Sequence, residues 1–282
     1  MFLLALLVST PSAPKLDLQA CARTALLTPA TVRAGALAVA CPIACSVVGL
    51  EGRDFDPSLL SLLIATPSAF SINAAYQRRE RALGFLAQFR SASHMIDAAF
   101  DRWARAEEQR EAQAELHAVY SSLVRMCERR EDAEKRMAEE EMLRMLSKLG
   151  GSLERMRRNP TAASEAGIEP LATIFVSDER LLVQAVDQIR VIAFTRTPAL
   201  LRAFTVSGSA AFPILFAPYF AAVAAQPDGA AWAPYLVSFL FATTISALVQ
   251  IQEALEDPFE EYIDDIDLRR FAPPSYDILQ EG

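Results

Sequence analysis

Histidine, cysteine and glycine are scarce in this chain, and each scarcity removes a class of chemistry. The only histidines are His94 and His117. Neither sits in a nucleophile–histidine–acid arrangement or in an HExxH spacing, so hydrolytic and zinc-peptidase chemistry have no visible seat. Of the four cysteines, Cys41 and Cys45 are one helical turn apart inside an apolar stretch, and Cys21 and Cys127 are isolated. No zinc spacing appears, and a disulfide framework is not expected in so long a chain. No glycine-rich phosphate loop exists. The nearest approach, Ser207-Gly208-Ser209, lies inside an apolar stretch and suits close helix packing. A net charge of −8, with no basic stripe interleaved with aromatics, argues against a nucleic-acid partner. No strand pattern persists and no repeat is evident. Nothing points to an enzyme.

The most informative absence is local. Four stretches hold no Lys, Arg, Asp or Glu: Ala34 to Leu50, Pro57 to Gln77, Ala203 to Pro227 and Gly229 to Gln252 (apart from Asp228 between the last two). A helix needs about 20 mostly apolar residues to cross a bilayer, so three of the four are long enough and the first is marginal. The short loops inside the two pairs are acidic or nearly uncharged, EGRDFD at 51–56 and QPDGAA at 226–231, whereas Lys15, Arg23, Arg33, Arg78, Arg79, Arg81, Arg196 and Arg202 flank the outer ends. The positive-inside rule then puts both hairpin loops on one side and both termini and the central insert on the other, cytosolic or stromal, side. The expected fold class is all-α and integral to a membrane, with four transmembrane helices in two hairpins around a soluble helical insert.

The expected segments are residues 1–31 as a flexible or targeting segment, 32–77 as the first hairpin, 78–198 as the insert, 199–254 as the second hairpin and 255–282 as an acidic tail. The opening MFLLALLV is too short to span. It suits a signal-peptide core, a plastid-type presequence or an amphipathic surface segment. The organelle stays open between plastid, endomembrane and plasma membrane. Within the insert, helix-forming composition from Arg81 to Glu115 is followed by one long charged helix over about 112–158, supported by pairs such as Glu131–Lys135. Gly150-Gly151 is expected to kink it and Asn159-Pro160 to stop it. A further helix is expected over 171–195. Pro213 and Pro218 interrupt the third apolar stretch, which a membrane helix tolerates when neighbours satisfy the freed carbonyl.

Three segments in order resemble the bestrophin family of ion channels. At the end of the second apolar stretch, Phe70, Asn73, Tyr76 and Arg78 match F-R-x-N-x-x-Y-x-R-W, with Ser71 and Arg79 as departures. Before the third, Gln188-Ile189-Arg190 and Thr197-Pro198 resemble the family's E-R-I and T-P-I-P approach, at longer spacing and without the second proline. After the fourth, Glu256-Asp257-Pro258-Phe259 resembles I-E-x-P-F-G, with Glu260 in place of the glycine. The same segments are similar to a bestrophin-like branch of microbial eukaryotes. The resemblance spans about residues 34–267. It implies an ion channel, homopentameric and conducting inorganic anions of the chloride or bicarbonate class, although some bacterial relatives pass cations. The alternative is a non-conducting membrane scaffold whose charged insert docks partners.

The resemblance also implies sites. Leu62, Thr66 and Phe70 are four apart on one helix face, which in the family lines a narrow hydrophobic neck; a helix-packing face is the competing reading. Asn73, Tyr76 and Arg78 form the membrane-exit motif, and Arg78 with Arg79 and Arg81 would make a cationic vestibule in a ring of copies. Glu256, Asp257, Asp264, Asp265 and Asp267 offer hard oxygen ligands suited to Ca²⁺, as in the calcium clasp of animal bestrophins. The competing reading is a solvated acidic tail.

Overall fold

The computed structural model describes residues 28–50, 52, 57–158, 169–196, 198–226, 230–259 and 266–274. These form α1 (Pro29–Val48), α2 (Pro57–Trp103), α3 (Ala106–Glu128), α4 (Asp132–Arg158), α5 (Glu169–Phe194), α6 (Ala199–Leu215), α7 (Ala217–Ala224), α8 (Ala233–Glu256) and a 3-10 turn at Leu268–Phe271. Among the described residues there is no strand. The chain divides into two compact units, one made of residues up to Asn73 with Pro198–Glu253, the other of Ala74–Thr197 with the chain from Ala254 onward.

The first unit is apolar. Three helical segments in it are long and apolar enough to cross a membrane, Pro29–Val48, Ala199–Ala224 and Ala233–Glu256. The first begins earlier than charge alone suggests. Thr28 caps it, its Oγ1 accepting from the Thr31 N–H at 3.1 Å, Pro29 occupies the first turn, and Arg33 lies inside the helix. Thr and Pro are favoured in these two positions because the cap satisfies an orphan N–H and proline has none to lose. Gly49 closes the helix at φ 76°, where a side chain would be strained, and its N–H returns to the carbonyls of Cys45 and Ser46. The expected interruption of the third stretch is a break at Phe216, between α6 and α7. Pro218 has no N–H to give to the preceding turn, so the ladder cannot run through it.

Side-chain hydroxyls and small residues join α1 to α8. Ser238 Oγ donates to the Ala38 carbonyl at 2.8 Å, and the hydroxyls of Thr31 and Ser246 are 3.3 Å apart. Gly35 lets the helices approach so closely that an added Cβ would stand 2.7 Å from the Phe239 ring. Hydroxyl pairs and small residues are the usual means of helix association where apolar surface gains nothing from being buried. Ala38, Phe212, Phe216, Phe220, Ala242 and Ile245 make this unit's core, with the Phe212 ring stacked on Phe216 and Phe241 at 4.1 and 5.0 Å.

The second unit is a water-type helical domain. Its core takes Leu86, Phe89, Ile96 and Phe100 from α2, and Leu116, Leu123 and Met126 from α3. Met142 and Leu149 come from α4, and Leu182 and Ile189 from α5. The expected single charged helix over 112–158 is instead the hairpin α3–α4, folded back at residues 129–131. Arg125–Glu141 at 2.7 Å near the turn and Arg155–Glu111 at 3.0 Å at the far end show the antiparallel pairing. Folding back lets two apolar stripes bury each other, which one straight rod could not do. No Gly or Pro marks the turn, so local signals do not reveal it. Gly150-Gly151, expected to kink, is continuous helix. Gly150 serves a close approach to α5, where an added Cβ would meet Glu179 Oε1 at 2.5 Å.

The acidic C-terminal segment is not simply solvated. Phe259, Ile266 and Leu268 are buried in the helical core, and Tyr120 Oη donates to the Leu268 carbonyl at 2.9 Å.

Candidate functional site

Helix α2 carries the sequence-derived neck and exit motif, and its two faces differ sharply. It runs 47 residues without interruption, about 70 Å at 1.5 Å per residue. A buried seam follows it at spacings of three and four: Ser68, Ser71, Ala75, Ala82, Leu86, Phe89, Ser93, Ile96 and Phe100. Thr66, Phe70, Asn73 and Gln77 each lie two positions from a seam residue, about 200° round the helix. All four are exposed, Phe70 by 67%. Within one chain this face has no packing role. Tyr76 is exposed by 52% at the same level. Leu62 lies in a part of α2 whose side chains are outside the described residues.

Arg78 belongs to the other side. Its guanidinium turns inward and donates through Nη2 to the Ile192 carbonyl in the last turn of α5. Its Nε is buried with no hydrogen-bond partner. Burial draws the Arg78 pKa down from its ordinary value, while the Asp257 and Glu256 carboxylates nearby favour its charge. Arg196 lies 3.7 Å from Asp257. The structure thus brings Phe70 and Asn73 together on one face and separates Arg78 from them.

The same end of α5 holds a residue that sequence reasoning assigned elsewhere. Lys135 is 4% exposed, and its Nζ donates to the Ala193 carbonyl at 3.2 Å. It was expected to pair with Glu131 on a solvated face, but burial in the hairpin turns it onto α5. Helix α5 has no basic residue of its own in its last turn, so two cations from other helices meet its unsatisfied carbonyls and the negative end of its dipole.

The described carboxylates do not assemble a metal cage. Glu256 is buried, Asp257 faces Arg196 and accepts from the Phe259 N–H at 3.3 Å, and Asp267 accepts from the Arg269 N–H and from Arg270 Nε, each at 3.2 Å. Asp264 and Asp265 lie outside the described residues. Among the described residues no group of three or more His, Cys, Asp or Glu could hold an ion. Ca²⁺ wants six to eight oxygens, and Asp257 and Asp267 are already committed to arginine and backbone donors.

No protein-family model matches the chain, and no curated protein matches it in sequence. Solved structures do match its fold. A bacterial bestrophin homolog from Klebsiella pneumoniae, phased on zinc, is 18% identical with a TM-score of 0.69, over 86% of this chain and 93% of that one. A single-substitution variant of a bacterial bestrophin homolog from the same organism gives the same identity and TM-score over 86% and 94%. A membrane protein variant reaches a TM-score of 0.71 at 18% identity, over 89% and 95%. The fold is therefore bestrophin-like, and with its apolar helices the chain is an integral membrane protein.

Proposed function

We propose that this chain is the subunit of a bestrophin-like ion channel, a ring of identical copies, most simply five, that conducts inorganic anions of the chloride or bicarbonate class. In this reading the uncharged start of α2 is a fourth span, paired with α1 as α6–α7 is paired with α8. The observation that carries the proposal is the bare face of α2. An uncharged helix segment that presents Thr66, Phe70 and Asn73 away from its own chain has a surface to give to a central path. Rings of apolar side chains gate such a path by excluding water. Arg81, exposed, and Arg79, half-buried beside Glu80, are the cations that raise anion concentration at the exit. Arg78 does not contribute, because it points into the helical unit.

The test is ion flux through full-length protein in phosphatidylcholine–phosphatidylglycerol vesicles, with mass measured in detergent on the same preparation. Flux that follows a chloride gradient from an assembly of several copies supports the proposal. Flux following potassium keeps the channel and reverses the ion's sign. A monomer without flux at any concentration removes the channel reading and leaves the scaffold.

A further inference from the structure

Exposed hydroxyls on two apolar helices are satisfied by their own backbone. Ser207 Oγ donates to the Phe204 carbonyl at 3.2 Å on α6, and Thr244 Oγ1 donates to the Leu240 carbonyl at 2.7 Å on α8. A hydroxyl tied down in this way can face hydrocarbon with its donor met. Asn73 is different. It stands inside the uncharged stretch from Pro57 to Gln77. Its side chain is exposed, and among the described residues its carboxamide has no hydrogen-bond partner. A carboxamide brings two N–H donors and a carbonyl, and leaving all of them bare in lipid is costly. The face of α2 that carries Asn73 therefore calls for water or a polar species beside it.

Thr66, Phe70 and Asn73 share that face. At 3.6 residues per turn they fall within a sector of about 60°, with Asn73 about 4.5 Å along the axis from Phe70 and Thr66 about 6 Å from it on the other side. All three are exposed. In a ring of copies, the described part of this face sets one aromatic level between two polar ones. We infer that Asn73 is a specificity-determining residue of the ion path: its carboxamide N–H groups replace water around an anion that has shed part of its hydration shell to pass Phe70. The inference rests on the channel reading above and deepens it. Anions are then ranked by how readily they lose water at Phe70 and how well Asn73 restores what is lost.

The test is flux of chloride, thiocyanate and potassium through vesicles holding the full-length natural protein or an Asn73 variant, with Tm and assembly mass measured in detergent. Asn73→Leu sets an apolar level beside Phe70, so chloride flux should fall by about tenfold or more. Thiocyanate sheds water more easily and should fall less, so the thiocyanate-to-chloride ratio should rise. Asn73→Ser keeps a hydrogen-bond donor and should lie between Asn73→Leu and the natural protein. Asn73→Asp places carboxylates at the same level and should turn the preference toward potassium. Asn73 is exposed within its own chain, so Tm and assembly mass should be the same in every variant.

Chloride flux and a thiocyanate-to-chloride ratio both unchanged in Asn73→Leu overturn the inference and leave the channel reading standing. A smaller assembly or a lower Tm in Asn73→Leu also overturns it, because the carboxamide then bonds a neighbouring copy and not the ion. A natural protein that passes potassium and not chloride overturns the donor role while keeping the channel. A natural protein without flux overturns both readings together.

Discussion

Phe70 has little to lose inside its own chain, being 67% exposed, and that separates its two readings. If it lines a constriction, Phe70→Ala widens the path and lowers a dewetting barrier, so vesicle flux rises while Tm stays within about 0.5 kcal/mol equivalent of the natural protein. If it packs against another copy, truncation instead leaves a cavity, at about 3–5 kcal/mol in a tight site, and the assembly weakens with no added flux. A Tm fall without extra flux ends the neck assignment. Gly35 makes the opposite kind of prediction. A side chain there meets the Phe239 ring and Thr243. Gly35→Val is therefore expected to cost about 1–3 kcal/mol by overpacking, read as a lower Tm in detergent. An unchanged Tm would mean that α1 and α8 do not meet as closely as described. Glu179 in the helical unit predicts a pH dependence. Burial, and then Glu154, push its carboxyl above the usual range. Its stabilising, protonated form is present below the unfolded value of 4.5 and is lost as pH rises through the folded value. Glu179→Gln removes that loss, so the variant should melt higher than the natural protein at neutral pH, with the advantage vanishing near pH 4.5. An advantage independent of pH would contradict the cause given.

At the scale of elements, the end of α5 is the most testable. Lys135→Ala leaves the Ala193 carbonyl without the donor it now has and deletes a buried aliphatic stem. The expected loss is about 1–3 kcal/mol, measurable by denaturant unfolding, and a neutral outcome would show that water or Arg78 replaces the lysine. How far the elements were legible in the sequence depends on how local their causes are. Helix α2, unbroken from Pro57 to Trp103, was legible past the end of its uncharged stretch because no Gly or Pro stands between Pro67 and Gly84. The Phe216 break followed from Pro213 and Pro218. The turn at 129–131 was not legible. Arg129, Arg130 and Glu131 there are good helix formers, and only the mutual burial of the α3 and α4 stripes makes folding back favourable. Lys135 was misjudged for the same reason, since its i,i+4 neighbour was visible and its distant acceptor was not.

At the scale of the molecule, the charge pattern predicts that the loops at 51–56 and 226–231 face one side of the membrane. In a background lacking the natural cysteines, single cysteines at Asp54 and Asp228 should react with an impermeant thiol reagent from the same face of sealed vesicles. Reaction from opposite faces rejects the two-hairpin arrangement and with it the fourth span.

The sequence by itself determined that this is an all-helical chain with membrane-length apolar helices and a charged helical insert, because insertion into hydrocarbon is decided segment by segment, by length and by missing charge. It also placed Phe70, Asn73, Tyr76 and Arg78 on one helix, because a continuous helix fixes the angles between its own residues. Only the tertiary structure decided which side of that helix is spent on the chain's own core. It left Phe70 bare and turned Arg78 inward, onto the Ile192 carbonyl at the end of α5. That carbonyl stands more than a hundred residues away along the chain, and a contact over such a separation depends on where folding brings the two groups, which no local pattern encodes.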